Sequence, residues 1–171
     1  MNVIAEIRNW KGKPKELVAF LTESIEQDQE IFSQLIEILK SGSDVEKGTV
    51  ADVMKHVSKD KPEIVAPYID DLVGYINYKA PRVKWGVPET IGNLAQNYPT
   101  EVESAVPKLL VNTEDKSTVV RWCAAFALTE IAKSNPAMKK ELGSKIEGIV
   151  QNEKNNGVKN VYLKALKSMN K

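Results

Sequence analysis

Three prolines, Pro62, Pro99 and Pro136, stand 37 residues apart, and the residues ahead of each one repeat with them. Lys47-Gly48-Thr49-Val50, Lys84-Trp85-Gly86-Val87 and Arg121-Trp122-Cys123-Ala124 each begin 15 residues before their proline. Core-facing positions keep the same register, apolar but for one threonine: Val50, Val53, Met54 and Val57; Val87, Thr90, Ile91 and Leu94; Ala124, Ala127, Leu128 and Ile131. A period of about 20–50 residues marks stacked supersecondary units, none of which can bury its apolar face alone. The chain is therefore predicted to be all-α, a right-handed α-α superhelix of about four helix pairs. The period says nothing of a partner, since one scaffold serves many.

Each unit divides at its proline. After Pro62, Ile69, Leu72, Val73 and Ile76 fall at i, i+3, i+4 and i+7, one face of an amphipathic helix. One period back lie Phe32, Leu35, Ile36 and Leu39; one period forward lie Val106, Leu109 and Leu110, followed by Ile146 and Val150 in the last unit. The pattern predicts outer helices near 28–40, 63–78, 100–112 and 137–151, and inner helices near 44–58, 82–97, 118–133 and 157–169. Ser43 with Glu46, Asp60 with Glu63 and Thr100 with Glu103 have capping-box spacing, and Asn135 precedes a proline at a first helical position. In the last pair Lys159 follows Arg121 by 38 residues, the extra one absorbed near Asn155-Asn156-Gly157. A helix over Pro14–Ser24, with Leu17, Phe20 and Leu21 on one face, is expected to cap the start together with Ile4 and Ile7. The expectation is one domain over 1–171, with a cap at 1–26 and units near 28–62, 63–99, 100–136 and 137–171.

Charge excludes simple recruitment by a bulk field. The net is +1, from 24 basic and 23 acidic residues, so nothing draws nucleic acid or anionic membrane as a whole. The distribution is uneven: residues 1–45 carry 5 basic and 8 acidic groups, and residues 137–171 carry 8 basic and 3 acidic. Such a gradient either orients a partner or reflects a polar end cap. Cys123, a single cysteine, forms no internal disulfide and fits a reducing compartment. It stands where Gly86 and Gly48 stand in the preceding units, which points to a tightly packed site rather than a nucleophile. No run reaches the roughly 18 apolar residues of a membrane span. The first residues carry Glu6, Glu16 and Glu23 and no signal-peptide core, so a cytoplasmic protein is expected.

The segment from Asp115 to Pro136 resembles a HEAT repeat. Asp115, Val120-Arg121, Ala124-Ala125, Ala127-Leu128 and Ile131-Ala132 occupy the places where that family carries an acidic turn, Val-Arg and an alanine-rich inner helix. Pro67 and Pro107 match prolines common in its outer helices. The likeness is fair over 82–99 and weak over 28–62, where Glu46 replaces the valine of Val83 and Val120. The last unit matches by period alone. A 37-residue period also differs from those of tetratricopeptide and ankyrin repeats.

Two constellations are candidates for function. Lys47, Lys84, Arg121 and Lys159 form a ladder of cations at the starts of inner helices, where the macrodipole opposes them. The HEAT resemblance implies a turn contact, with Glu114 and Asp115 the expected partners of Arg121; a phosphate-binding ladder is the alternative. The second constellation is the inner-helix face opposite the apolar stripe, which the resemblance implies is concave. At 100° per residue it carries Trp85, Glu89, Gly92 and Gln96; Trp122, Phe126, Thr129 and Lys133; Asn160, Lys164, Lys167 and Lys171; and Gly48, Asp52, Lys55 and Lys59. Exposed aromatics beside cations compose a recognition surface, unless both tryptophans tilt into packing between units. His56 is the one histidine and reads as a surface residue; Pro88 is expected to kink its helix or delay its start.

No histidine or cysteine cluster offers a metal site or a hydrolase centre. The function expected is a non-catalytic interaction scaffold, without metal or cofactor, that holds a protein or peptide partner in the concave groove. Its binding residues are predicted to be Trp85, Glu89, Trp122, Phe126, Lys133, Lys164 and Lys167. Two alternatives stand beside it. One is a nucleic-acid-binding protein similar to HEAT-like DNA alkylation repair glycosylases, with Trp85, Glu89, Arg121 and Trp122 imitating their cluster. The other is a regulator of a cofactor-bearing enzyme.

Overall fold

The computed structural model describes residues 1–170, and Lys171, the last position of the predicted inner face, lies outside them. Every regular element among the described residues is helical. The chain begins with α1 (Val3–Asn9) and α2 (Pro14–Gln27), followed by α3 (Phe32–Ser41) and α4 (Asp44–Asp60). Then come α5 (Pro62–Val65), α6 (Ile69–Val73), α7 (Pro81–Leu94), α8 (Val106–Asn112), α9 (Thr118–Ser134), α10 (Pro136–Asn152) and α11 (Asn156–Met169). Helix α2 packs on α4, α4 on α7, α7 on α9 and α9 on α11, so these five make one row. Helices α3, α8 and α10 lie against the row, and the short α5 and α6 lie against α4 and α7.

The apolar register determines which faces meet. Val50, Met54, Ile91, Leu94, Leu128 and Ile131 are fully inaccessible, as are Leu35, Leu72 and Leu109 facing them. Each buried side chain contributes roughly 1.5–3 kcal/mol against exposure, and together they hold a core that runs the length of the row. Close approach of α7 to α4 depends on Gly86, whose Cα lies so near the Ala51 carbonyl that a Cβ would sit 2.8 Å from its oxygen.

Outer segments depart from the predicted continuous helices. The first begins with a 3-10 turn at Gln29–Ile31, the third with one at Glu101–Ala105, and the second is broken by one at Ala66–Tyr68. Pro67 and Pro107 explain the last two, because a proline supplies no amide hydrogen and its ring crowds the preceding turn. Helix α10, whose one proline, Pro136, opens it, runs unbroken through 17 residues. Pro88 does not delay α7, which starts at Pro81; it leaves the Lys84 carbonyl without its i+4 donor.

Two predicted caps form and two do not. Ser43 and Glu46 make a full capping box, and Asn135 Oδ1 accepts from the Ala137 and Met138 amides at 3.0 and 3.3 Å. Helix α4 runs through Asp60, so Asp60 caps nothing, and Thr100 lies in helical conformation without a side-chain cap. Glu103 instead accepts from Asn135 Nδ2 at 2.7 Å, linking two units. The N-terminal cap consists of two helices rather than one, and Phe20 leaves the buried face of α2 to stack on Trp10 at 5.5 Å.

Candidate functional site: the open face of the helix row

Three of the four cations in the predicted ladder bind inward, one unit to the next, while Lys159 is half-buried and forms no ion pair among the described residues. Lys47 is buried, with Nζ 3.3 Å from the Lys40 carbonyl and 4.7 Å from the Tyr78 ring centroid. Lys84 Nζ meets Asp115 Oδ2 at 2.7 Å. Arg121 donates from Nε and Nη2 to Glu153 at 3.0 and 3.4 Å, and from Nη1 to the Asp115 and Lys116 carbonyls at 3.0 and 3.3 Å. Tyr78, Asp115 and Glu153 precede the next inner helix in each case, so each cation fastens the following unit. The expected turn contact of Arg121 is made to the Asp115 carbonyl, while its acid is Glu153, the residue that follows Asp115 by the same 38 as Lys159 follows Arg121. That register was readable in the sequence and identifies the partner.

Electrostatics agree with these pairings. Burial pushes Asp115 upward, but Lys84 and the Ser117 amide together more than offset it, and the carboxyl titrates below its ordinary value. Glu153 behaves alike: burial raises it, and the Asn155 amide with Arg121 outweighs burial and lowers it. The Arg8 hydrogen bond at 2.8 Å, then the Ser43 amide, lower Glu46 and tie α1 to the start of α4.

The side of the row away from α3, α8 and α10 carries the second constellation. Trp122 is 39% exposed and stacks on Phe126, centroids 5.9 Å apart and planes 4° from parallel. Phe126 lies over Gly92 of α7, so near that a Cβ there would fall 2.6 Å from its ring. Gly92 is therefore covered rather than open. Thr129 is buried too, its hydroxyl donating to the Ala125 and Phe126 carbonyls at 2.8 and 3.0 Å. Trp85 is half-buried and its Nε1 is enclosed without an acceptor among the described residues, so most of this indole serves packing.

Polar members of the face divide similarly. Glu89 is half-buried and accepts from Cys123 Sγ at 3.5 Å. Burial, then the Glu89 charge, push the Cys123 thiol far above its ordinary value, which leaves no thiolate for nucleophilic work. Lys133 pairs with Glu130 at 2.6 Å, while Lys164 and Lys167 are exposed and form no ion pair among the described residues. At the other end Arg82 crosses over Gly48 to within 3.8 Å of Asp52, which also meets Lys55 at 3.2 Å and His56 at 3.6 Å. A groove of about 480 Å³ lies here between α2 and α4, lined by Lys15, Glu23, Glu26, His56 and Asp60 among others. Sequence phase alone missed this groove, because it depends on α2 docking beside α4.

A larger recess of about 690 Å³ lies at the α8–α9 turn and α10, lined by Arg121, Lys145 and Glu153. The Arg121 and Glu153 groups there already bind each other, so it offers less unmet chemistry than the open face. No described helix is long and apolar enough to cross a membrane. No protein-family model matches the chain.

Proposed function

We propose that this protein is a short HEAT-type helical solenoid, one domain with its cap at the N-terminal end. In this reading it is a non-catalytic scaffold, in a reducing cytoplasmic setting, that holds a segment of a partner protein in a concave groove along α4, α7, α9 and α11. The observation that carries the reading is the Trp122–Phe126 stack: two large aromatics placed in contact on the open face, with Trp122 39% exposed. Rigid aromatic surface is the commonest source of binding energy at interfaces, and it loses little entropy on docking. The inward pairing of Lys47, Lys84 and Arg121 supports a structural ladder over a phosphate-binding one.

Selection of displayed random peptides on the purified protein tests the reading. Recovered peptides are expected to weaken by about 2 kcal/mol, roughly thirtyfold, on Trp122→Ala, in a variant that keeps its circular dichroism. Peptides indifferent to both Trp122→Ala and Phe126→Ala overturn the groove. Tighter binding of single-stranded DNA than of any selected peptide, with the same Trp122 dependence, replaces it with the nucleic-acid reading.

A further inference from the structure

Formal charge changes from acidic to basic across the row, with α7 and α9 equal between the extremes. Helix α2 sets Lys15 against Glu16, Glu23 and Glu26, for −2. Helix α4 sets Lys47, Lys55 and Lys59 against Asp44, Glu46, Asp52 and Asp60, for −1 with His56 neutral. Helix α7 carries Arg82 and Lys84 against Glu89, and α9 carries Arg121 and Lys133 against Glu130, each +1. Helix α11 carries Lys159, Lys164 and Lys167 with no acid, for +3. Since these helices pack in that order, the ramp is a property of the assembled row.

The two ends of the ramp are also where unpaired charge faces out. Glu23, Glu26 and Asp60 line the α2–α4 groove together with Lys15, none of them in an ion pair among the described residues, which leaves an acidic excess of two; Lys164 and Lys167 stand exposed at the far end. Between them the largest exposed aromatic surface is the Trp122–Phe126 stack, with Val119 exposed one turn earlier on the same side of α9. An amphipathic helix docks mainly through its apolar face, whereas here the aromatic surface is confined to the middle of the row and charge lies at both ends. Four steps of about 9 Å make the row roughly 36 Å long, a length that about eleven extended residues span.

We infer that the open face takes an extended, bipolar segment of a partner protein, with Lys or Arg over the α2–α4 groove, one apolar anchor on Trp122, and Asp or Glu over α11. This rests on the scaffold reading above and adds the chemistry and polarity of its partner. Opposite charges at the ends set the segment's direction and speed its encounter, and the central anchor slows its release.

The test is a display library of eleven-residue peptides whose three residues at each end are drawn from Lys, Glu and Gln and whose centre is random. Peptides with Lys at one end and Glu at the other are expected to be enriched about tenfold over those with Gln at both ends at low salt, and the advantage should shrink in concentrated salt. On the double variant Lys164→Glu with Lys167→Glu, the preferred peptides should become those with Lys at both ends. Enrichment of Glu at both ends on the unaltered protein overturns the inference in favour of a plain anion-binding face. Equal enrichment of Gln-ended peptides that still need Trp122 overturns the bipolar partner and leaves the scaffold standing. Failure to recover any peptide dependent on Trp122 overturns both.

Discussion

Tyr162 is fully buried in α11, and its hydroxyl meets no hydrogen-bond partner among the described residues. Burial, then the nearby Glu153 charge, push the phenol far above its ordinary value, so it stays neutral at any working pH. An enclosed hydroxyl without a partner bears its desolvation cost uncompensated. Tyr162→Phe removes the oxygen and keeps the ring, and it is expected to raise stability by about 1 kcal/mol in urea unfolding. A loss of similar size would mean that the hydroxyl has a partner in solution, such as a bound water. The contrast between Trp85 and Trp122 belongs to this scale as well. They are register equivalents, yet one indole nitrogen is enclosed and the other ring is presented.

Glycines separate the helices whose contacts are tight from those whose surfaces are open. Gly86 brings α7 against the backbone of α4, and a Cβ there would meet the Ala51 carbonyl oxygen at 2.8 Å and carbon at 2.9 Å. Backbone cannot yield as a side chain can, so Gly86→Ala is expected to cost about 1–3 kcal/mol through overpacking, despite a helix-propensity gain near 1 kcal/mol. Gly148 in α10 has nothing within 4 Å of its would-be Cβ. Gly148→Ala should therefore stabilise by about 0.5–1 kcal/mol. Parallel urea titrations of the two variants read the difference, and equal signs would contradict the close α4–α7 approach. Gly92→Ala is a third case, because its methyl would push on the Phe126 ring and disturb the aromatic stack from beneath.

At the scale of the molecule, cohesion between units rests partly on ionised carboxylates. Asp115 and Glu153 titrate below their ordinary values in the folded state. Their ion pairs with Lys84 and Arg121 join α7 to the turn before α9, and α9 to the turn before α11. A carboxylate lowered by folding contributes stability that is present above its unfolded pKa, about 3.9 for Asp and 4.3 for Glu, and lost as pH falls through the lower folded value. The urea midpoint should accordingly hold near neutral pH and fall below about pH 4. Glu153→Gln should lower the midpoint at pH 7 and flatten the decline in acid. A variant with the same acid slope as the unaltered protein would show that Glu153 does not carry the linkage.

The 37-residue period was enough to place the core, because the phase of a helix's apolar stripe is written in its own sequence and that stripe must be covered in any stable packing. Val50, Met54, Ile91, Leu94, Leu128 and Ile131 are buried as their spacing predicts. The inner helices were legible for the same reason, as were the caps at Ser43 and Asn135. The outer segments were legible only in part: Pro67 and Pro107 were visible, but whether a proline starts a helix or interrupts one depends on the turn that precedes it. The candidate face was the least legible. Its residues share one phase, yet Gly92 and Thr129 are covered, Trp85 is half-enclosed and Trp122 is open. Those differences and the α2–α4 groove were decided only by tertiary structure, and so was the placing of the acidic and basic ends of the chain at opposite ends of one row of helices. A helix carries its own periodicity in sequence, whereas the side chains that cover it come from the helix packed alongside.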